Sequence, residues 1–517
     1  MLSLPNSNAL FQSLRHKDRS MSSPHAQAGA ATPPDPRRWV ALFVLLIANF
    51  MNLIDVTIVN VALPSMRTGL GASDTQIEWV IAAYILAFAL GLLPFGRLGD
   101  ILGRTTLFLW GVAGFTAASA LCGLAPNIEF LIVARIIQGL AGAMMTPQVL
   151  AIATVTFPPN ERGQAFSLFG LSAGLASVCG PILGGVLISA NLFGLSWQPI
   201  FLVNIPIGIA AVVAGWFLIP RLPGHPSLKN DYVGIALFGL GIMAVVFPIV
   251  EGRAYGWPAW CFAMIVAGLA LIVAFVFWTR HRAAAGQSQL LNFDLITNRQ
   301  FMFGALVVTI FASGIPGMFM VISLLLQGGF NFTPLESGLT NTPFSVGVLI
   351  ASLIAGRFGA HYLRSRLAAA GALLSFGIGW LHFYIAGVGD TIDHWAFLPP
   401  LLIAGIGLGL GFSSLFQLVL ANVPQRDAGA GSGALQAFQQ VGGALGVAII
   451  GEIFFTHLGN SMATGSAPHA AFADSTAMAL WYQVISFGLV LLLAFAFKRP
   501  AARAPGGAPQ QHVAIEV

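Results

Sequence analysis

The chain has 517 residues, 57% of them hydrophobic and 8% charged, where an ordinary soluble protein carries roughly 25% charged residues. Together with a mean hydropathy of +0.83, this composition excludes a soluble globular domain and indicates a chain that crosses the bilayer many times. The net charge of +5 and pI near 9.4 do not indicate nucleic acid, because the basic residues cluster at one side of the apolar runs.

Residues 1–37 are rich in Ser, Pro, Ala and basic residues and read as a disordered tail, with Met21 a second candidate start. Apolar runs near bilayer length follow at 39–62, 77–96, 105–124, 129–153, 164–189, 199–219, 232–250, 258–279, 301–326, 336–357, 368–387, 396–421, 430–455 and 477–497. Each is close to or above the ~20 residues that span a membrane, so fourteen transmembrane helices are expected. The first run is too long for a signal-peptide core and lacks a small-residue cleavage site, so it is read as retained. Residues 498–517 form a second tail. Twenty of the 23 Lys and Arg residues fall in the tails and in the loops that share their side, which puts both termini in the cytoplasm.

The first run ends in FMNLIDVTIVNVALP, which places Asp55 in hydrocarbon at a cost of about 2.5 kcal/mol or more. At 100° per residue, Phe43, Ile47, Phe50, Met51, Ile54 and Ile58 share one apolar face, and Asn49, Asn52, Asp55, Thr57 and Asn60 fill the remaining arc. Asp55 therefore need not face lipid; its helix presents a polar wall. In the fourth run, RIIQGLAGAMMTP carries Arg135 about six residues from the outer end, and Asp55 lies about seven residues from the outer end of the first. At 1.5 Å per residue both sit ~10 Å deep. Gln138 joins Asn49, Asn52 and Asn60 as a residue expected to line a polar cavity. Glu78, at the outer mouth of the second run, is expected to be solvated.

The chain repeats itself. GRLGDILGR at 96–104 matches GRFGAHYLR at 356–364, and GPILGG at 180–185 matches GGALGV at 442–447, offsets of 260 and 262. Both shifts equal eight helices, so a six-helix unit recurs with two helices inserted. The expected fold is an all-α polytopic membrane protein of two pseudo-symmetric six-helix bundles plus the insert: residues 38–220 the first bundle, 221–299 the linker with two extra helices, 300–497 the second bundle. Two facing homologous bundles are the architecture of alternating-access transport, with substrate bound near the midplane.

The remaining features exclude other chemistries. Cys122, Cys179 and Cys261 lie in or beside apolar runs at no metal spacing and read as packing residues. His382, inside an apolar run, reads as an interhelical hydrogen-bonding residue. GIGLGLG at 405–411 has no Lys-Ser/Thr and no preceding soluble strand, so it reads as helix packing rather than a phosphate loop. There is no Walker motif for direct use of ATP, no nucleophile–base pair of an enzyme, and no cofactor or metal is expected.

Over residues 39–497 the chain resembles the fourteen-helix drug:proton antiporters of the major facilitator superfamily. GRLGDILGRTT resembles the superfamily's loop between helices 2 and 3. The resemblance implies that Asp100, with Gly96, Gly103 and Arg104, latches the cytoplasmic side by meeting the N-terminus of helix 13. Ile101 stands where the family often has a basic residue, and Ala360 replaces the acid in the second copy. RIIQGLAGAMMTP resembles the helix 4 motif of proton antiporters, which implies that helices 1 and 4 are neighbours and that Asp55 and Arg135 couple proton movement; a static buried ion pair is the alternative. ASVCGPILGG resembles the antiporter signature of helix 5, with Gly180, Pro181, Gly184 and Gly185 at its positions and Ala176 in place of a usual Gly. LIDVTIVNVALP, WQPIFLVNIPIG and AGAGSGALQAFQQVGGALGVAIIG resemble the fourteen-helix branch, some of whose members carry an essential acid in helix 13, here Glu452. Ala82 and Ala83 stand before Tyr84 where exporters of multivalent cations have an acid, which counts against that specialisation.

The function implied is export of amphipathic drugs or toxic small molecules across a bacterial inner membrane in exchange for protons. Two alternatives stay open: a dedicated exporter of one natural metabolite, toxin or siderophore, and a receptor or scaffold that kept the fold and lost transport. The expected partners are the small-molecule substrate, protons and the lipid bilayer. In some relatives a periplasmic adaptor extends the export path, and the sequence leaves that open here.

Overall fold

The computed structural model describes residues 37–191, 194–224, 230–252, 254–358, 362–421, 423 and 428–497. Its long helices are α1 Arg38–Leu70, α2 Asp74–Leu102, α3 Arg104–Gly123, α4 Ile128–Thr156, α5 Pro159–Ser189, α6 Pro199–Leu218, α7 Tyr232–Glu251 and α8 Ala259–Ala284. They continue with α9 Arg299–Gly329, α10 Pro334–Phe358, α11 Leu363–Ala386, α12 His394–Leu420, α13 Ala428–Ala463 and α14 Pro468–Ala494. Among the described residues twelve helices are long and apolar enough to cross a membrane; α5 and α10 occupy the other two expected positions. Two helices are interrupted: α6 steps at Val203, and α9 breaks at Gly314 and ends in a π-helical turn over Leu325–Gly329.

Several helices overrun their apolar runs. α1 continues to Leu70 and stops at Gly71, whose left-handed φ of +62° lets its N–H reach the Arg67 carbonyl. Ser73 then starts α2 with a reciprocal capping box to Gln76. The hydropathy signal marks where a helix enters water, whereas the backbone continues until a cap ends it. α2 and α3 meet at Gly103, with φ +99°, a conformation that favours glycine; an added Cβ there would also lie 2.7 Å from the Leu222 carbonyl.

The exposed face of α8 shows the solvent these helices were built for. Phe262, Val266, Leu269, Val273 and Phe277 repeat at helical spacing and are all exposed. A continuous apolar stripe open to the outside matches hydrocarbon, not water.

α1 packs on α5 and α6, α2 on α4 and α13, α3 on α4 and α6, α5 on α10, α9 on α13, α10 on α12, and α11 on α12 and α14. The α7–α8 pair packs on α2 and α13 through α7. Its connecting end is tied to both: Trp79 Nε1 donates to Glu251 at 2.7 Å and Trp257 Nε1 donates to Glu452 at 3.2 Å. Glycine permits the close crossings. In GIGLGLG, which lies within α12, a Cβ on Gly405 or Gly409 would collide with the α10 backbone at Phe344 or Val348. His382 does join two helices, its Nδ1 lying 2.8 Å from the Ala477 carbonyl.

Candidate functional site

Asp55 and Arg135 meet. Arg135 Nη1 donates to Asp55 Oδ2 at 2.6 Å, and both side chains are excluded from the surface. Local chain geometry makes the meeting possible. Gly139, one turn beyond Arg135, has no room for a Cβ, which would collide with the Tyr84 carbonyl. α2 and α4 therefore approach closely enough for Arg135 Nε to donate to the Val80 carbonyl at 3.0 Å and for its guanidinium to lie 4.1 Å from the Tyr84 ring centre. At Gly142 a Cβ would lie 3.0 Å from the Asn52 amide, so the same small-residue stripe also seats α4 against α1.

A polar network drawn from five helices surrounds the pair. Gln138 Nε2 donates to Asp55 Oδ1 at 2.8 Å and to Ser119 Oγ at 2.9 Å, while its Oε1 accepts from Arg135 Nη1 at 2.7 Å and from Cys122 Sγ at 3.5 Å. Asn204 Nδ2 donates to Asp55 Oδ1 at 3.2 Å and to Ser119 Oγ at 3.3 Å. A second branch runs from Tyr84 Oη to Asn52 Oδ1 at 3.0 Å and from Asn52 Nδ2 to Thr146 Oγ1 at 3.3 Å. A charge so far from water persists only when it is paired and hydrogen-bonded, and Asp55 has both conditions met. The arrangement can hold one proton-binding carboxylate beside a cation that cannot lose its charge.

Asn204, Ser119 and Tyr84 belong to this site and were not assigned to it from sequence. Asn204 carried a signal: it is the only side-chain amide in the run 199–219, five residues from its outer end and so near the depth of Arg135. Ser119 and Tyr84 carried none, since single hydroxyls are common in membrane helices.

The other expected residues fall elsewhere. Asn60 is buried, but its amide turns back to the Val56 carbonyl at 3.1 Å, and Asn49 is half-buried. Glu452 accepts from Trp257 and from Thr456 Oγ1 at 3.1 Å, and neither Asp55 nor Arg135 bonds to it. Glu78 is not solvated as expected: it is 1% exposed, with its carboxylate against Gly451 of α13, because the packing of α2 on α13 covers it. Asp100 pairs with Arg104 at 2.7 Å, one turn along. Its expected partner is the N-terminus of helix 13, where residues 424–427 lie outside the described residues, as do 359–361 of the second motif copy.

Gly96 lies over Pro147 at an ordinary contact distance. In the helix 5 motif, a Cβ on Gly180 would strike the Thr57 hydroxyl, and one on Gly184 would lie 2.8 Å from Ile58, so these glycines seat α5 on α1. Gly185 faces the other way, where a Cβ would lie 2.6 Å from Leu335 Cα in α10. Pro181 also touches α10: a Cβ on Gly338 would run into its carbonyl.

Comparison with known proteins gives a consistent result. The family profile described as Major Facilitator Superfamily matches residues 45–232 and 226–447. The chain is 40% identical over 451 residues to the probable actinorhodin transporter of Streptomyces coelicolor, covering 87% of this chain and 78% of that protein. It is 33% identical over 463 residues to the puromycin resistance protein of Streptomyces alboniger, covering 88% and 90%. Among solved structures, a bacterial homologue of the human lysosomal transporter Spinster, inward-facing and occupied, matches with a TM-score of 0.63 at 16% identity over 90% of this chain and 97% of that one, a likeness of fold.

Proposed function

This chain belongs to the Major Facilitator Superfamily and is a membrane transporter, not an enzyme; from that premise we propose that it exports amphipathic small molecules by alternating access, driven by proton entry at Asp55. The observation that carries the reading is the buried Asp55–Arg135 pair with Gln138 and Asn204 closed around it. A proton on Asp55 neutralises the carboxylate and leaves Arg135 charged and buried, against the neutral Gln138 and Val80 oxygens and the Tyr84 and Phe201 rings. An uncompensated buried cation is costly, so the protonated state favours a different helix arrangement. A difference in energy between two states on protonation is what coupling requires.

The same proposal covers the layout. α5 and α10 span the membrane with the other twelve helices, 38–220 and 300–497 are the two bundles, and 221–299 carries the inserted pair. The support is the seam. α2 packs on α13 and α5 on α10, the two pairs that the internal repeat exchanges. Both termini lie on the cytoplasmic side of a bacterial inner membrane, a reading that the clustering of basic residues supports. Asp100 and Arg104 latch the cytoplasmic side, and Glu452 at the opposite end is an auxiliary acid.

The identity to the probable actinorhodin transporter favours a narrower form of the reading, in which a single natural metabolite is the cargo. The test of the wider reading uses the full chain in sealed vesicles. With an imposed pH gradient, candidate compounds should accumulate against their gradient with wild type and not with Asp55→Asn. Equal proton-driven transport by both would overturn the role of Asp55, and absence of any transport would favour a receptor.

A further inference from the structure

We propose that the cleft between α2 and α7 is a binding site for one anionic phospholipid, with its acyl chain in the cleft and its headgroup on Arg97. The cleft is an apolar cavity of about 510 Å³ lined by Leu90, Leu93 and Pro94 of α2, Gly239 and Met243 of α7, and Leu290. Met243, on its rim, is exposed, so the cavity opens sideways toward hydrocarbon rather than into the polar network around Asp55. An apolar cleft at that depth is filled by acyl chain.

The headgroup assignment comes from what lies at the basic end. Leu90, Leu93, Pro94 and Arg97 stand at helical spacing, so Arg97 continues the apolar stripe one turn further. The opposite wall ends in the same place, where Leu290 lines the cleft and Ser288 meets Arg97. That contact is long, 3.4 Å from Arg97 Nη2 to Ser288 Oγ, and the buried Arg97 Nε has no hydrogen-bond partner among the described residues. Arg97 is therefore a half-buried cation at the end of an acyl-sized cleft, its guanidinium meeting Ser288 only at long range. The nearby Arg282 is already engaged, donating to the Ser288 carbonyl at 2.7 Å and lying 3.7 Å from Asp231. Basic pockets between membrane helices on the cytoplasmic side recognise anionic lipid headgroups, and Arg suits phosphate by its forked donors.

The test is native mass spectrometry of the full chain in mild detergent, titrated with phosphatidylglycerol and, separately, phosphatidylcholine. Wild type should retain one phosphatidylglycerol in preference to phosphatidylcholine. Arg97→Gln should lower that preference roughly fivefold to tenfold, the value of one headgroup charge contact. Gly239→Leu should weaken retention of both lipids, because a side chain there grows into the cleft, where an added Cβ meets only Leu90 at 3.9 Å. A photoactivatable acyl chain should cross-link to α2 and α7, a readout independent of how well either variant folds. Equal retention by all three proteins, or cross-links confined to other helices, would overturn the proposal. So would a transported compound that labels the cleft and displaces the lipid, which would make the cleft a substrate entry path.

Discussion

The coupling between Asp55 and Arg135 can be measured without knowing the cargo. Asp55→Asn leaves the guanidinium 1% exposed with no anion beside it, its acceptors being the new amide oxygen and the neutral Gln138 and Val80 oxygens. Removing one partner of a buried pair costs about 3–5 kcal/mol. Arg135→Gln is milder. Asp55 keeps the Gln138 and Asn204 amides at 2.8 and 3.2 Å and can shed its charge by taking a proton, an escape the guanidinium lacks. A loss of about 2 kcal/mol is expected, the worth of a hydrogen bond to a charged group. The double variant holds two neutral amides and should cost about 2–3 kcal/mol, leaving an interaction energy near 3 kcal/mol. Reversible unfolding of the four proteins in mixed micelles reads these values. Additivity within about 0.5 kcal/mol, or a greater loss for Arg135→Gln than for Asp55→Asn, would refute the reasoning.

Two glycines in α13 make a matched pair. Gly446→Ala should lower stability by about 2–3 kcal/mol, since its Cβ would overlap the Ser313 carbonyl, whereas Gly443→Ala, with nothing nearer than 3.5 Å, should stay within about 0.5 kcal/mol in the same assay. Gly185→Ala should wedge α5 from α10 near the Ser189 end of α5; spin-label distances across that seam should lengthen relative to wild type. The Glu161 carboxyl is held below its ordinary 4.5 by its hydrogen bond to Arg38, with Nε at 2.8 Å. A carboxylate depressed in the folded state contributes above its unfolded value and is lost as pH falls through the folded one. Thermal scans should show this contribution intact at neutral pH and fading only below about pH 4.5, and Glu161→Gln should abolish that acid limb.

Much of this molecule is legible in its amino-acid order. Wherever the structure describes a helix of membrane length, an apolar run marks it, because backbone in hydrocarbon must satisfy itself and only a helix does so within one segment. Depth is legible for the same reason: a fixed rise of 1.5 Å per residue puts Asp55 and Arg135 at one level by counting. Helix ends are less so. α1 and α2 extend past their apolar runs to Leu70 and to Leu102, since caps end a helix and hydropathy does not report caps.

Which side chains touch is decided by tertiary packing. Asn204 reaches Asp55 from α6, and Ser119 of α3 accepts from both Asn204 and Gln138, which hold Asp55. Glu78 sits near the end of its helix, where water is the expected neighbour, yet α13 covers it at Gly451. Asn60 shares the polar arc of α1 with Asp55 and bonds its own helix instead. A single helix dictates its depth and its faces through short-range geometry. Its neighbours, and the rotation at which they dock, follow from small-residue contacts such as Gly139 on Tyr84 and Gly185 on Leu335, which exist only once the helices are assembled.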